Sequence, residues 1–247
     1  MFKLDEWIEI AKSAALEGGN YLLQNQGKEL KVLMNSGRDI KLQLDADTEE
    51  LIKESLSSQS PFSILGEETG LSNNLGEFYW VVDPLDGTSN FLRDIPISCV
   101  SIALMQDVTP ILGVIYDFNH DDLYFGHQHS KAFLNQKEIT VSDYSKKNQS
   151  TLVTGIPAKT NYSDEEFKNM IDDFQHWKKV RMIGSAAMAA IYVASGKAET
   201  YKENGIFLWD IAAGAAIVKA AGGVASIKNI QADYRVDAIF TNQHLAH

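Results

Sequence analysis

The hydrophobic period of this chain changes twice along its length, and those changes restrict its architecture more than any other feature. Leu4, Trp7, Ile8, Ala11, Ala15, Gly18 and Leu22 recur at helical spacing, which predicts an amphipathic first helix. A turn at Asn35-Ser36-Gly37 separates it from a second helix that starts near Asp45–Asp47 and turns Leu51, Ile52 and Leu56 inward. The pattern then becomes one of short β-rich runs: Phe62–Leu65, Tyr79–Val82, Cys99–Met105, Ile111–Tyr116 and Leu123–Phe125. Turn residues such as Asp117, Asn119 and Asp121 lie between them, so the connections are local and the pairing mostly antiparallel.

After about residue 150 strands and helices alternate. Thr151–Thr154, Val180–Ile183, Ala198–Tyr201, Val224–Ile227 and Ala238–Phe240 read as strands. Ser163-Asp164-Glu165-Glu166 is a capping box, followed by Phe167, Met170, Ile171 and Phe174 on one helical face. Gly184–Ser195 reads as a small-residue helix ended by Gly196, and Asp210–Ala221 as a helix ended by Gly222-Gly223. The expectation is an α+β first half, residues 1–148, and an α/β second half, residues 149–247, packed as one continuous unit.

Charge excludes several partners. With 22 basic and 33 acidic residues the chain carries a net charge of -11. Nonspecific nucleic-acid binding needs basic surface to replace counterions, and anionic membranes need it too. An anionic substrate therefore requires a local positive charge, most simply a bound metal. Cys99 is the only cysteine, so neither an internal disulfide nor a Cys-rich metal site can form. The N-terminus lacks the basic and apolar regions of a leader, and no window reaches the ~18 apolar residues that suggest a membrane span. A cytoplasmic protein is expected.

One junction between these elements carries chemistry. Trp80-Val81-Val82 leads into Asp83-Pro84-Leu85-Asp86-Gly87-Thr88-Ser89-Asn90-Phe91. Proline biases Asp83 to extended geometry, and Pro84 with Gly87 makes a tight turn. Asp83 and Asp86 can then converge around the Leu85 carbonyl as a hard-oxygen site for magnesium or calcium. Gly87-Thr88-Ser89 read as a helix start whose free amides suit a phosphate. The same residues can equally form a surface turn with Thr88 as N-cap. Glu67 and Glu68 end the strand Ser63–Gly66, and at least one must face water or a cation. Asp210 follows the apolar run Phe207–Trp209 at the mouth of a helix, where N-cap and metal ligand are compatible roles. No His/Cys cluster suggests zinc, and neither a Walker loop nor a Gly-x-Ser-x-Gly elbow is present.

Glu67-Glu68, the Asp83–Phe91 motif, and Trp209-Asp210 with Ala213-Gly214 together resemble the inositol monophosphatase family over nearly the whole chain. The Asp-Pro-Leu-Asp-Gly-Thr motif is the specific part of that resemblance. It implies an αβαβα layered sandwich, a homodimer, and a magnesium-dependent phosphomonoesterase with two or three ions, inhibited by lithium and calcium. By resemblance Glu67, Asp83 and the Leu85 carbonyl hold the first ion, and Asp83, Asp86 and Asp210 the second. Glu67 also supports a third ion through water. Gly87 and Thr88 hold the phosphate, with Ser89 beside them. The Thr88 hydroxyl orients the attacking water, with Asp45 as its acidic partner and Glu67 assisting. Gly184, Ser185 and Ala186 form the substrate-side loop, and Glu203 reads substrate hydroxyls. The implied reaction is in-line attack of water on a small phosphate monoester.

The sequence departs from the family pattern at several points. Met34 stands where many relatives carry lysine, Leu42 where they carry threonine, and Phe207 where some inositol phosphatases carry histidine. Lys41 is a candidate for the missing positive charge, and Asp47 competes with Asp45 as the partner of Thr88. Ser89-Asn90-Phe91 favours inositol 1-phosphate over 3'(2'),5'-bisphosphate nucleotides. Sugar phosphates, including fructose 1,6-bisphosphate, remain alternatives, as does a noncatalytic metal- or phosphate-binding role.

Overall fold

The computed structural model describes residues 3–28, 31–36, 39–72, 74–157 and 161–246. Helix α1 (Leu4–Asn25) leads through the hairpin β1 (Val32–Ser36) and β2 (Asp39–Leu42) into α2 (Gln43–Ser57). Strands β3 (Ser63–Gly66), β4 (Gly70–Leu71) and β5 (Phe78–Asp86) precede the single turn of α3 (Thr88–Phe91). Then come β6 (Cys99–Gln106), β7 (Thr109–Asp117), β8 (Asp122–His127), β9 (Ala132–Leu134) and β10 (Lys137–Ile139). These form one eight-stranded sheet in the order β10-β9-β8-β7-β6-β5-β3-β4. Its pairing is antiparallel except between β3 and β5, as the local connections require.

The second half contains β11 (Thr151–Thr154), α4 (Asp164–Phe174), β12 (Lys179–Met182) and α5 (Ala186–Ala194). It continues with β13 (Thr200–Phe207), α6 (Leu208–Ala220), β14 (Val224–Lys228) and β15 (Arg235–Thr241). The strand order is β12-β11-β13-β15-β14, parallel on the β12-β11-β13 side and antiparallel beyond it. Strand and helix alternation therefore produces a mixed sheet.

Period-two alternation explains the layering. Trp80, Val82, Ile102 and Leu104 join α1 and α2 in one core. Val81, Ala103 and Met105, on the other face of the same strands, join α5 and α6 in a second core. That core continues into the second sheet through Val153, Tyr201, Val236, Ala238 and Phe240. Leu152 and Thr154, alternating with Val153, face a cavity against α4. The result is a layered sandwich of helices, sheet, helices, sheet and helix. A helix between two sheets must be apolar on every side, and close contact favours small residues. A Cβ on Gly214 of α6 would lie 2.3 Å from Ala190 Cβ, and one on Gly113 of β7 would lie 2.2 Å from the Ala213 carbonyl oxygen.

Several boundaries differ from those read in the sequence. Helix α2 begins at Gln43, so Asp45 is its third residue. Strand β5 does not stop at Val82 but runs on to Asp86, with an irregularity between Asp83 and Asp86 that accommodates Pro84. Helix α5 begins at Ala186 rather than Gly184, and α6 at Leu208 rather than Asp210. Asp210 is thus the third residue of α6, not its N-cap. The short strands β4, β9 and β10 were not anticipated. The turn read at Asn35-Ser36-Gly37 falls where Ser36 pairs with Asp39, but Gly37 lies outside the described residues.

Candidate active site

The end of β5 builds the centre of the site. Asp83 is buried, and its Oδ1 accepts the Leu85 N–H at 3.0 Å. Gly87 then adopts φ 91°, a left-handed conformation that strains other residues. A Cβ there would also lie 2.7 Å from the Ile97 carbonyl oxygen. Gly87, not Thr88, is the N-cap of α3, and Thr88 is its first residue. The Thr88 hydroxyl donates to the Leu85 carbonyl at 3.0 Å. A carbonyl oxygen has two lone pairs, so one remains for a cation.

Two other chain segments converge on Asp83. One carboxylate oxygen each from Glu67, Asp83 and Asp210 lies within 4.8 Å of the others. Glu67 comes from the turn after β3, and Asp210 from the first turn of α6. Asp210 Oδ2 also accepts the Phe207 N–H at 3.3 Å. Asp86 points instead at the start of α5. Its Oδ2 accepts from the Ser185 hydroxyl at 2.5 Å and from the Ala187 N–H at 2.7 Å. Ser185 in turn caps α5 by accepting the Met188 N–H at 3.2 Å.

Burial makes these acids reluctant to ionise. Burial first, then mutual repulsion, pushes Asp83 and Asp210 well above the ordinary carboxylate range. Glu67 is raised to about 8 by burial and by the neighbouring Glu68. Asp86 rises only to about 6, because burial is opposed by the Ser185 hydroxyl and by backbone amides. Lys41 is the nearby cation: its Nζ lies 2.9 Å from Glu68 Oε2 and draws the Asp45 and Glu67 pKa values down. It sits opposite Met34 across the β1–β2 hairpin. Hard oxygen donors, crowded and desolvated together, fit a divalent cation such as magnesium.

The two aspartates that competed as partner of Thr88 separate clearly. Asp45 is buried; its Oδ2 accepts the Leu42 N–H at 2.9 Å and its Oδ1 has no protein partner. Burial raises it to about 7. Asp47 is exposed and accepts from the Gln43 side-chain amide at 2.8 Å. Asp45 lies close enough to Glu67 for its charge to raise the Glu67 pKa, while the Thr88 hydroxyl donates to the Leu85 carbonyl and to neither aspartate.

A cleft of about 280 Å³ opens over the cluster. Glu67, Asp86 and Asp210 contribute to its acidic wall, and Gly87, Thr88 and Ser89 lie along the start of α3. Gly184, Ser185, Ala186 and Glu203 form other parts of the lining. Asn90 fastens this rim by donating to the Ile97 and Ile183 carbonyls, each at 2.8 Å. Gly155, Ile156, Pro157 and Ile206 also line the cleft, and sequence reasoning missed them. Gly155 had a physical reason to be glycine that only the fold reveals: a Cβ there would lie 2.4 Å from Glu203 Oε1. Glu203 itself is buried and raised to about 8, by burial and then by the Asp86 charge.

A family model described as the inositol monophosphatase family matches residues 3–239. The chain belongs to the inositol monophosphatase family. It is accordingly a phosphoric monoester hydrolase. Among curated relatives it is 38% identical over 220 residues to the Nus factor SuhB of Xylella fastidiosa, covering 87% of this chain and 80% of that protein. It is 35% identical over 231 residues to the fructose-1,6-bisphosphatase/inositol-1-monophosphatase of Aquifex aeolicus, covering 92% and 88%. The solved inositol monophosphatase of Anabaena (Nostoc) superposes with a TM-score of 0.85 at 32% identity, covering 97% of this chain and 92% of that one. The inositol monophosphatase fold thus extends over the whole acidic cluster. No helix among the described residues is long and apolar enough to cross a membrane.

Proposed function

We propose that this chain hydrolyses inositol 1-phosphate, or a closely related polyol or sugar phosphate, using magnesium and water. The observation that carries the reading is the convergence of Glu67, Asp83 and Asp210 oxygens within 4.8 Å in a cleft also lined by Gly87, Thr88 and Glu203. Glu67, Asp83 and the Leu85 carbonyl would hold one ion, and Asp83, Asp86 and Asp210 a second. Magnesium would supply charge to bind the phosphate and would lower the pKa of an attacking water.

The remaining work belongs to the protein. The Thr88 hydroxyl spends its proton on the Leu85 carbonyl, so its lone pairs are left to accept a hydrogen bond from the water. Asp45 keeps one carboxylate oxygen unpaired and carries a raised pKa, which suits a group that takes up a proton near neutral pH. Gly87, Thr88 and Ser89, at the start of α3 in the cleft lining, would hold the phosphate. Glu203, on another part of its lining, would hydrogen-bond hydroxyls of the leaving alcohol. Attack is in line with the leaving oxygen, and no protein–phosphate bond forms.

Fructose 1,6-bisphosphate is a second reading, favoured by the name of the Aquifex aeolicus relative. Phosphate release from inositol 1-phosphate, fructose 1,6-bisphosphate and 3'-phosphoadenosine 5'-phosphate, with magnesium and with or without lithium, decides between them. The expected result is highest kcat/KM for inositol 1-phosphate, with loss of turnover in lithium or EDTA. Undiminished release in EDTA, or no release from any ester by the folded, magnesium-supplied protein, sinks the proposal.

A further inference from the structure

The turn that presents Glu67 is gripped by a side chain to which the chemistry above gives no task. Glu49 lies in α2 and is fully buried. A buried carboxylate needs hydrogen-bond donors, and Glu49 finds three in one turn. Its Oε2 accepts the Glu68 N–H at 2.8 Å. Its Oε1 accepts the Thr69 N–H at 3.0 Å and the Thr69 hydroxyl. These donors occupy the two positions that follow Glu67. Gly66 permits the approach: a Cβ there would lie 2.4 Å from Glu49 Cδ.

The helix adds a second constraint. Asp45 and Glu49 are four residues apart, so both project from one face of α2. Asp45 comes to the site from the first turn, while Glu49 grips the β3–β4 turn from the next. The helix is itself fixed by the buried Ile52 and Leu56, one further turn and two further turns along the same face. One rigid element thereby sets the place of Asp45 and of the turn bearing Glu67 together.

We propose that Glu49 is a positioning residue for the metal site, holding the Glu68 and Thr69 amides so that Glu67 is delivered toward Asp83 and Asp210. The proposal rests on the reading that the acidic cluster binds divalent metal. A carboxylate is the right group for the task because both of its oxygens accept. A glutamine at this position would turn N–H groups toward the turn's own N–H donors. Outer partners of metal ligands typically change metal affinity or activity by about 10–100-fold when lost.

The test uses the full chain and Mn2+ alone, followed by electron paramagnetic resonance of the free ion. If the parent protein binds no Mn2+, the metal reading itself fails. If the parent binds, Glu49→Gln should weaken Mn2+ by about 10–100-fold. It should also raise the magnesium concentration for half-maximal activity by a similar factor, while excess magnesium restores kcat and leaves substrate KM at the parent value. A merely structural role lowers the metal-free Tm but leaves the Mn2+ Kd unchanged, and that result overturns the proposal. Thr69→Val removes one donor at an exposed position and should weaken Mn2+ in the same direction by a smaller factor. If Glu49→Gln does not fold, an unchanged Mn2+ Kd in Thr69→Val overturns the proposal by itself.

Discussion

Three helices in this molecule begin with the same local device and end in opposite electrostatic states. In α4, α2 and α6 an acidic third residue accepts a hydrogen bond from a backbone N–H three residues earlier. Glu166 takes the Ser163 N–H at 2.7 Å, Asp45 the Leu42 N–H at 2.9 Å, and Asp210 the Phe207 N–H at 3.3 Å. At the surface the hydrogen bonds decide, and the Ser163 amide and hydroxyl hold Glu166 below its ordinary pKa. In the interior burial outweighs the same bond, and Asp45 and Asp210 are raised. Capping places a carboxylate; burial sets its charge. Helices α2 and α6 deliver acids that resist ionising, and a bound cation relieves that resistance.

Removing the most crowded acid should break this contrast most severely. Asp83→Asn should lower phosphate release by more than the roughly 10–100-fold expected for loss of an outer partner. Its metal-free Tm should stay level or rise, because a repelled buried carboxylate is gone. Parent-level turnover in that variant would remove Asp83 from the centre of the mechanism.

Next in size is the effect of pH on the metal-free protein. Asp45 and Glu67 hold their protons to about 7 and about 8 in the fold, against ordinary values of 3.8 and 4.5. Between those limits the folded chain binds more protons than the unfolded chain, so stability falls as pH rises. Melting in EDTA should therefore occur at a lower temperature at pH 8 than at pH 6. Magnesium should raise the Tm more at pH 8, where fewer of those protons remain to be displaced. A Tm that climbs steadily with pH in EDTA contradicts the assigned direction of the shifts.

The rim of the cleft should respond less. Glu203→Gln should raise KM for inositol 1-phosphate by roughly 2–10-fold, the size expected for a hydrogen bond between neutral groups. Hydrolysis of p-nitrophenyl phosphate, which lacks the polyol, should change little. Equal losses on both substrates would assign Glu203 to the phosphate side instead. Smallest of all, Ser163→Ala at the surface should lower Tm by about 2–4 °C and leave kcat/KM alone. A comparable loss of activity would show that α4 is coupled to the cleft.

Much of the acidic site was legible because its chemistry is local. Asp83 to Thr88 lie within one turn, and the proline and glycine that shape it are adjacent. Asp210 was legible as a helix-start residue, but N-cap and third-residue acids leave similar patterns, so its place was read two residues off. Asp45 and Asp47 could have been separated by helical phase, since Asp45, Glu49, Ile52 and Leu56 follow one buried face. Glu49 itself could not be found in this way. Glu49-Glu50 reads as a polar pair, and only a turn 20 residues along the chain explains why one member is buried. The strands β9 and β10 escaped because three-residue segments with exposed positions carry no usable period. The layers were legible for the opposite reason: strands buried on both faces, and helices apolar all round, leave few arrangements open.

The hydrogen bonds from Ser185 and Ala187 to Asp86 have a consequence for how the molecule is made. They span 99 and 101 residues and join the last residue of β5 to the start of α5. Closing such a loop costs chain entropy that the local hairpins of the first sheet do not incur. The hairpins can therefore form early, while this seam must wait until residues far downstream have docked. A chain released from the ribosome before α5 and α6 carries the Asp83–Thr88 motif but lacks Asp210 and the partners of Asp86. On the proposed reading, competence to capture a cation would be a late product of folding, and it would certify that both sheets have met.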